Sequence, residues 1–396
     1  VIGAGPAGLI AADVLSRAGA CVTVFDHKPS PARKFLMAGR GGLNLTHSEP
    51  LEVFLTRYGA AAGRLEPIIR AFPPDRLREF CSELGEETFV GSSGRVFPKS
   101  FKASPLLRAL LARLAGRGVR FERAAFEGFV GEDALSLRGP GAEKVTLAHR
   151  AAVLALGGAS WPRLGSDGGW TRAFDALGVA TAPLAPANCG ALIRWSDRFR
   201  AAFEGQPIKT VRLRHGAAAA RGDLVVTRAG LEGGPAYALA SSLRERGEGP
   251  ATLCVDLRPD ASAAELARRL ERERGKQSLA TFLRRTLKFA KIETALLREA
   301  RPQGLPRESE ALAELIKNIP LGVTGVAGFE RAISTSGGVS FDELDAALML
   351  KKRPGVFLAG EMLDFDAPTG GYLLQAAFST GFVAGQGAAR YLGLAA

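Results

Sequence analysis

Sulfur and imidazole are scarce in this chain. Its 396 residues include four cysteines, three methionines and four histidines. Cys21, Cys81, Cys189 and Cys254 lie far apart and form no C-x-x-C pair. That spacing excludes a redox-active dithiol and a cysteine zinc site, and no metal is expected. Buried free thiols in a reducing cytoplasm are the plain expectation. No apolar run is long enough to cross a bilayer and no basic-then-apolar leader opens the chain, so a cytoplasmic protein without membrane attachment is expected. Only Val1 and Ile2 of a first strand precede a glycine turn, so residues are expected to come before Val1. There is no internal repeat or low-complexity segment. Acid is short as well: 40 Asp and Glu stand against 52 Lys and Arg, a net charge of +12.

A solvated basic surface is the favoured explanation of such a balance, and an anionic partner such as RNA is the alternative. One basic group is Arg212, Arg214, His215 and Arg221. Another follows a helical repeat of Leu279, Phe282, Leu283 and Leu287, which puts Arg284, Arg285, Lys288 and Lys291 largely on the wet face. Glu265, Glu271 and Glu273 interleave with Arg268, Arg269, Arg272 and Arg274. The pattern predicts a salt-bridged helix surface there rather than a nucleic-acid stripe.

What the chain does have is glycine, 48 of them, in an otherwise ordinary globular composition with room for two or three domains. Gly3, Gly5 and Gly8, with Pro6 and Ala7 between them, spell G-x-G-x-x-G. Gly3 permits a tight turn out of a strand, Gly5 lets backbone approach a pyrophosphate, and Gly8 lets the next helix sit close to the sheet. The helix start offers free N–H groups to phosphates. Asp26 closes the next apolar run and can accept from ribose hydroxyls. The glycines alone do not choose between FAD and NAD.

Residues 21–25 read as a buried parallel strand, completing β-α-β. A second glycine-rich loop spans 32–47, and helical pieces lie between 51 and 84. Leu106, Leu107, Leu110, Leu111 and Leu114 mark an amphipathic helix ended by Gly116 and Gly118. Short strands near Phe126, 135–137 and 145–147 suggest a β-meander, and a strand over 151–156 ends in Gly157-Gly158. Residues 190–257 are rich in strand-like runs, 261–318 are charged and helical, and a strand at 356–359 precedes a last helix from about Gly371. This order predicts an α/β nucleotide-binding domain interrupted by an inserted one. Three later corners narrow the reading: Ala155-Leu156-Gly157-Gly158, then Gly360-Glu361 with Asp364, then Gly370-Gly371-Tyr372-Leu373-Leu374-Gln375.

With those corners in place, the chain resembles the two-domain FAD flavoproteins of the glutathione-reductase class. More narrowly, it is similar to the BaiN-like, or aminoacetone-oxidase-like, flavoproteins. The distinctive runs are Arg33-Lys34-Phe35, 39–46, Gly94-Arg95-Val96-Phe97-Pro98, 155–160, Ser336-Gly337-Gly338-Val339, 360–364 and 370–375. The resemblance implies a Rossmann-like FAD domain with a parallel sheet and β-meander, interrupted by a β-barrel-like and then a helical subdomain. The boundaries follow as 1–185, 186–260, 261–320 and 321–396.

It also implies FAD along that domain. Gly3, Gly5, Pro6, Ala7 and Gly8 would face the pyrophosphate and Asp26 the adenosine ribose. His27, Lys28, Arg33 and Lys34 would lie near the adenine end or the phosphates. Gly39, Gly41, Gly42, Asn44 and Thr46 would line the middle of the cofactor, with Ala155, Gly157 and Gly158 passing close. Gly360 and Glu361 would approach the ribityl or phosphate region. Gly371, Tyr372, Leu373, Leu374 and Gln375 would approach the isoalloxazine. The chain departs from the family at Gly42-Leu43, where Arg-Cys usually precedes the Asn, which points to a sister branch.

An FAD-dependent oxidoreductase acting on a small organic substrate is therefore expected. The alternative is an RNA-associated flavoprotein. No second G-x-G-x-x-G exists, because Arg390 stands where a glycine should follow Gly385 and Gly387. Electrons would come from the substrate or from transiently docked NAD(P)H, and reductase and oxidase readings both stand. His47 is the histidine nearest the expected flavin, with a structural role favoured over proton donation. Tyr372 and Trp161 could rest on the ring, and no residue is assigned to catalysis.

Overall fold

The computed structural model describes residues 1–245 and 251–395. They divide into two compact units, Val1–Pro186 with Ile333–Ala396, and Ala187–Ala332. The expected stretches 186–260 and 321–396 include 246–250 and Ala396, which lie outside the described residues.

The first unit is built on parallel pairing. Thr23–Asp26 pairs with Arg120–Arg123, and Ala152–Leu154 pairs with Val356–Leu358. Ile2 bridges Phe25 on one side and Leu154 on the other, joining the two pairs into one sheet. Val24, Leu154, Val356 and Leu358 are fully buried, as strands covered on both faces require. Helix Pro6–Arg17 lies against helix Tyr372–Tyr391 through small residues. A Cβ on Gly381 would meet the Ala7 carbonyl oxygen at 2.2 Å, and one on Gly385 would come within 3.1 Å of Ala11. Ala125–Val130, Ala134–Arg138 and Lys144–Ala148 form the expected meander. The region 51–84 carries three helices, Leu51–Thr56, Ala62–Ala71 and Pro74–Glu83.

The second unit is a closed antiparallel barrel. In order around it come Ala191–Ile193, Gly230–Glu232, Ala218–Thr227, Pro207–His215, Ala251–Asp256 and Ile319–Val326. Val211 and Leu213, Leu224 and Val226, and Leu253 and Val255 alternate into its core. The helices do not follow the barrel, as the order of subdomains implied; they interrupt it. Ala263–Leu270, Leu279–Leu287, Lys291–Ala300 and Ser309–Lys317 lie between the fifth strand and the closing one. Ile319–Val326 pairs with both Ala251–Asp256 and Ala191–Ile193, so the ring cannot close without it.

Two expectations are corrected. The interleaved glutamates do not bridge the arginines of 268–274 among the described residues. Glu265 is consumed by a capping box with Ser262. The helix ends at Leu270, so Glu271 and Glu273 fall outside the i,i+4 geometry that pairing needs. The cysteines carry no disulfide, but only Cys81 and Cys189 are buried. The second strand begins at Thr23, later than expected, which leaves Cys21 exposed in the turn. Burial pushes the Cys81 thiol up to about 12, out of the reactive range.

Candidate cofactor site at the strand ends

The opening turn is held by backbone contacts too close for side chains. Gly3 takes φ +101, and a Cβ there would lie 2.2 Å from the Ala155 carbonyl oxygen. A Cβ on Gly8 would lie 1.9 Å from the Gly3 oxygen. Gly5, by contrast, faces open space, with nothing within 4 Å of a Cβ. It caps Pro6–Arg17 with no side-chain hydrogen bond, and Pro6 stands in the first turn, where a missing N–H costs nothing. Among the described residues the remaining N–H groups of that turn have no side-chain partner, which suits an anion. Asp26 clamps the loop: its two oxygens accept from the Ala4 and Lys28 backbone N–H groups, each at 2.8 Å. Each oxygen keeps a lone pair for a further donor. His27 and Lys28 lie beside it, with His27 Nδ1 3.8 Å from Asp26.

A second cluster gathers residues remote in sequence. Lys34 Nζ donates to Glu361 Oε2 and Ser160 Oγ, both at 2.8 Å. Glu361 also accepts from Thr335 N at 3.0 Å and Gly158 N at 3.3 Å. The fully buried Thr335 hydroxyl accepts from Ala159 N at 2.8 Å and Ser160 N at 3.1 Å. Gly158 has no room for a side chain, since a Cβ would sit 2.4 Å from Thr335 Oγ1. The cluster thus ties the Gly157-Gly158 corner, the strand Ser334–Val339 and the turn after Val356–Leu358 together. Thr335→Val would keep the shape and strand two buried N–H groups, each worth about 1–3 kcal/mol. A loss of about 3 kcal/mol is expected in urea unfolding, with weakened FAD retention.

A third group lies where the last helix begins. Gly371 caps Tyr372–Tyr391 at φ +98, and a Cβ there would strike the Thr46 backbone at 2.5 Å. Side chains at this point are excluded by both conformation and space. In the same segment as Thr46, Asn44 Oδ1 and Thr46 Oγ1 are buried with no hydrogen-bond partner among the described residues. Orphaned acceptors of this kind mark a missing polar neighbour.

Several expected residues turn elsewhere. Tyr372 is buried with its hydroxyl on Glu49 Oε1 at 2.6 Å, its ring against Phe54, and its backbone oxygen accepting from Tyr58. Burial, with Glu49 beside it, pushes that phenol well up. Gln375 donates to the Phe72 carbonyl at 2.8 Å and to Ser379, joining helix to helix. A Cβ on Gly39 would meet Ala103 at 2.8 Å, so this glycine allows the close approach of helix Ala103–Gly116. His47 Nδ1 accepts from Glu49 N at 3.1 Å, and Nε2 faces the Ser93 carbonyl at 3.0 Å, leaving neither nitrogen to serve a substrate.

Sequence reasoning missed Thr335, Glu49, Arg57 and Tyr58. Only Thr335 carried a signal, standing directly before Ser336-Gly337-Gly338. Arg57 grips Glu49 with two hydrogen bonds of 3.0 and 2.7 Å and holds that carboxyl below its ordinary value of 4.5. A depressed carboxyl stabilises above its unfolded value and loses that contribution as pH falls through the lowered one. Arg57→Leu should therefore lower the melting temperature at pH 7, with the gap closing below about pH 4.5. Melting curves of both proteins across acid pH check this.

Among the described residues no helix is long and apolar enough to cross a membrane, and no group of three His, Cys, Asp or Glu could hold a metal. The family model for the HI0933-like protein Rossmann domain matches residues 1–387. A 3-dehydro-bile acid delta(4,6)-reductase of Clostridium scindens is 28% identical, covering 98% of each chain. A ribosomal RNA dihydrouridine synthase of Escherichia coli is 25% identical, covering 98% of this chain and 96% of that one. In structure, 3-ketosteroid delta1-dehydrogenase of Sterolibacterium denitrificans is similar, with a TM-score of 0.53, 14% identity and 98% of each chain covered.

Proposed function

Since this chain belongs to the HI0933-like Rossmann-domain family, a family of FAD-dependent oxidoreductases, we propose that it reduces a carbon–carbon double bond conjugated to a carbonyl in a small organic substrate. FAD, when bound, supplies the hydride chemistry. Gly5 and the first turn of Pro6–Arg17 would receive the pyrophosphate, and Asp26 the ribose hydroxyls. Asn44, Thr46 and the free N–H groups after Gly371 would meet the polar edge of the flavin. The orphaned Asn44 and Thr46 oxygens beside an uncapped helix start carry this reading.

The direction and bond type come from the relatives' names. Reduction of a 3-keto-delta-4 system and conversion of uridine to dihydrouridine are one organic step: a hydride adds to the β-carbon and a proton to the α-carbon of an unsaturated carbonyl. NAD(P)H is the proposed electron donor, docking in turn with the substrate, in the cytoplasm. A second reading, favoured by the dihydrouridine synthase relative, puts the unsaturated carbonyl on a uracil of RNA.

Anaerobic titration tests both. NADH or NADPH should bleach the bound flavin, and an unsaturated ketone should restore its colour while being consumed in equal amount. Recolouring by RNA alone would select the second reading. Bleaching by a saturated metabolite with no nicotinamide response would overturn both in favour of an oxidase.

A further inference from the structure

The barrel unit concentrates charge in a way the flavin chemistry does not use. Residues 268–291 hold nine Lys or Arg against two carboxylates, Glu271 and Glu273. All nine are exposed, and among the described residues none forms a salt bridge. The contrast within the same unit is sharp: Arg221 pairs with Asp260, Arg258 with Glu293 and Arg331 with Glu232.

The helix dipole explains only part of this. Arg268, Arg269, Arg284 and Arg285 sit in last turns, where cations are favoured. Arg272 and Arg274 lie in the connection between helices and gain nothing from a dipole. Lys291 stands in the first turn of Lys291–Ala300, where a cation is disfavoured. Lys288 occupies the left-handed cap of Leu279–Leu287 at φ +54, a place suited to glycine. These two lysines are held against local preference.

We propose that this edge of the helical segment docks RNA through its phosphate backbone. An anionic membrane fits poorly, because a surface-seated helix needs a free apolar face. Here Phe282, Leu283, Leu287 and Phe289 are all buried in the unit's own core. Duplex DNA fits poorly too. The cations cluster at short helix ends and corners, which cannot lie along a major groove but can follow an irregular backbone. The inference goes beyond the reductase reading and stands whether or not RNA is also the substrate.

The test is fluorescence anisotropy of the FAD-loaded protein with a labelled RNA hairpin, from about 50 to about 200 mM KCl. With about five phosphates engaged, affinity should fall roughly 100-fold over that range. The triple variant R284E/R285E/K288E should bind at least tenfold more weakly at low salt, with a shallower salt slope and its flavin spectrum retained. A control with the same charge change in the other unit, R108E/R150E/R390E, should bind nearly as wild type does. No binding by the wild type at about 50 mM KCl, or equal losses in both variants, would overturn the proposal. So would tighter binding of a DNA duplex, or binding of phosphatidylserine vesicles in place of RNA. Flavin bleaching is not the readout, so failure of the reductase reading leaves this result interpretable.

Discussion

Gly8→Ala is expected to yield a colourless protein that melts well below the wild type. The added methyl would sit 1.9 Å from the Gly3 carbonyl oxygen, less than any real carbon–oxygen contact. Neither partner can yield. Gly3 is fixed by its own contact with Ala155, and its amide donates to the Phe25 carbonyl at 2.7 Å. The helix Pro6–Arg17 would have to lift from the sheet, and Tyr372–Tyr391, seated on it through Gly381 and Gly385, would be pushed with it. Overpacking of this kind costs about 1–3 kcal/mol, and more where backbone is the obstacle. The turn that presents Gly5 moves as well, so FAD retention should fall at least 100-fold. Flavin absorbance after purification and a melting curve check both parts. A yellow protein of unchanged stability would contradict the geometry.

Glu361→Gln is expected to cost nearly as much by a different route. The amide would keep the acceptor for Thr335 but turn donors toward Lys34 and Gly158. It would also leave the Lys34 charge uncompensated. Breaking a buried ion pair costs about 3–5 kcal/mol. Lys34 and Glu361 retain 28% and 21% exposure, so about 2 kcal/mol is the expected loss. Lys34→Met should cost less, since Glu361 keeps its two backbone donors. The double variant should be milder than the sum, with a coupling of about 1 kcal/mol. Denaturant unfolding of the four proteins measures it. Strict additivity would show that the two side chains do not hold the corner together.

The elements that position the site were legible where a physical rule acts locally. Gly3, Gly5 and Gly8 declare a turn and a helix start, and Gly371 declares another, because few residue types fit such backbones. The apolar runs at 151–156 and 356–359 read as buried strands for the same reason. What escaped was set by partners distant in the chain. Lys34 meets Glu361 across more than 300 positions, and nothing near either residue foretells the ion pair. Tyr372 reads as a ring poised for a flavin, yet Tyr58, Phe54 and Glu49 claim it, and those three flank or lie on the short helix Leu51–Thr56, which carries no motif. The arginines of 268–274 looked paired because the sequence alternates sign, and the helix end at Leu270 removed the geometry that alternation needs.

The pairing of Ala152–Leu154 with Val356–Leu358 also dictates when this protein can become itself. During synthesis the first half of the sheet emerges with an open edge, and some two hundred further residues must follow before its neighbour arrives. Thr46 waits longer still for Gly371. A sheet assembled from such distant segments folds slowly, and its bare edge invites misassociation in the interval. The nascent chain should therefore lean on chaperones, and cofactor capture should be among the last events of its maturation, after the final helix has left the ribosome.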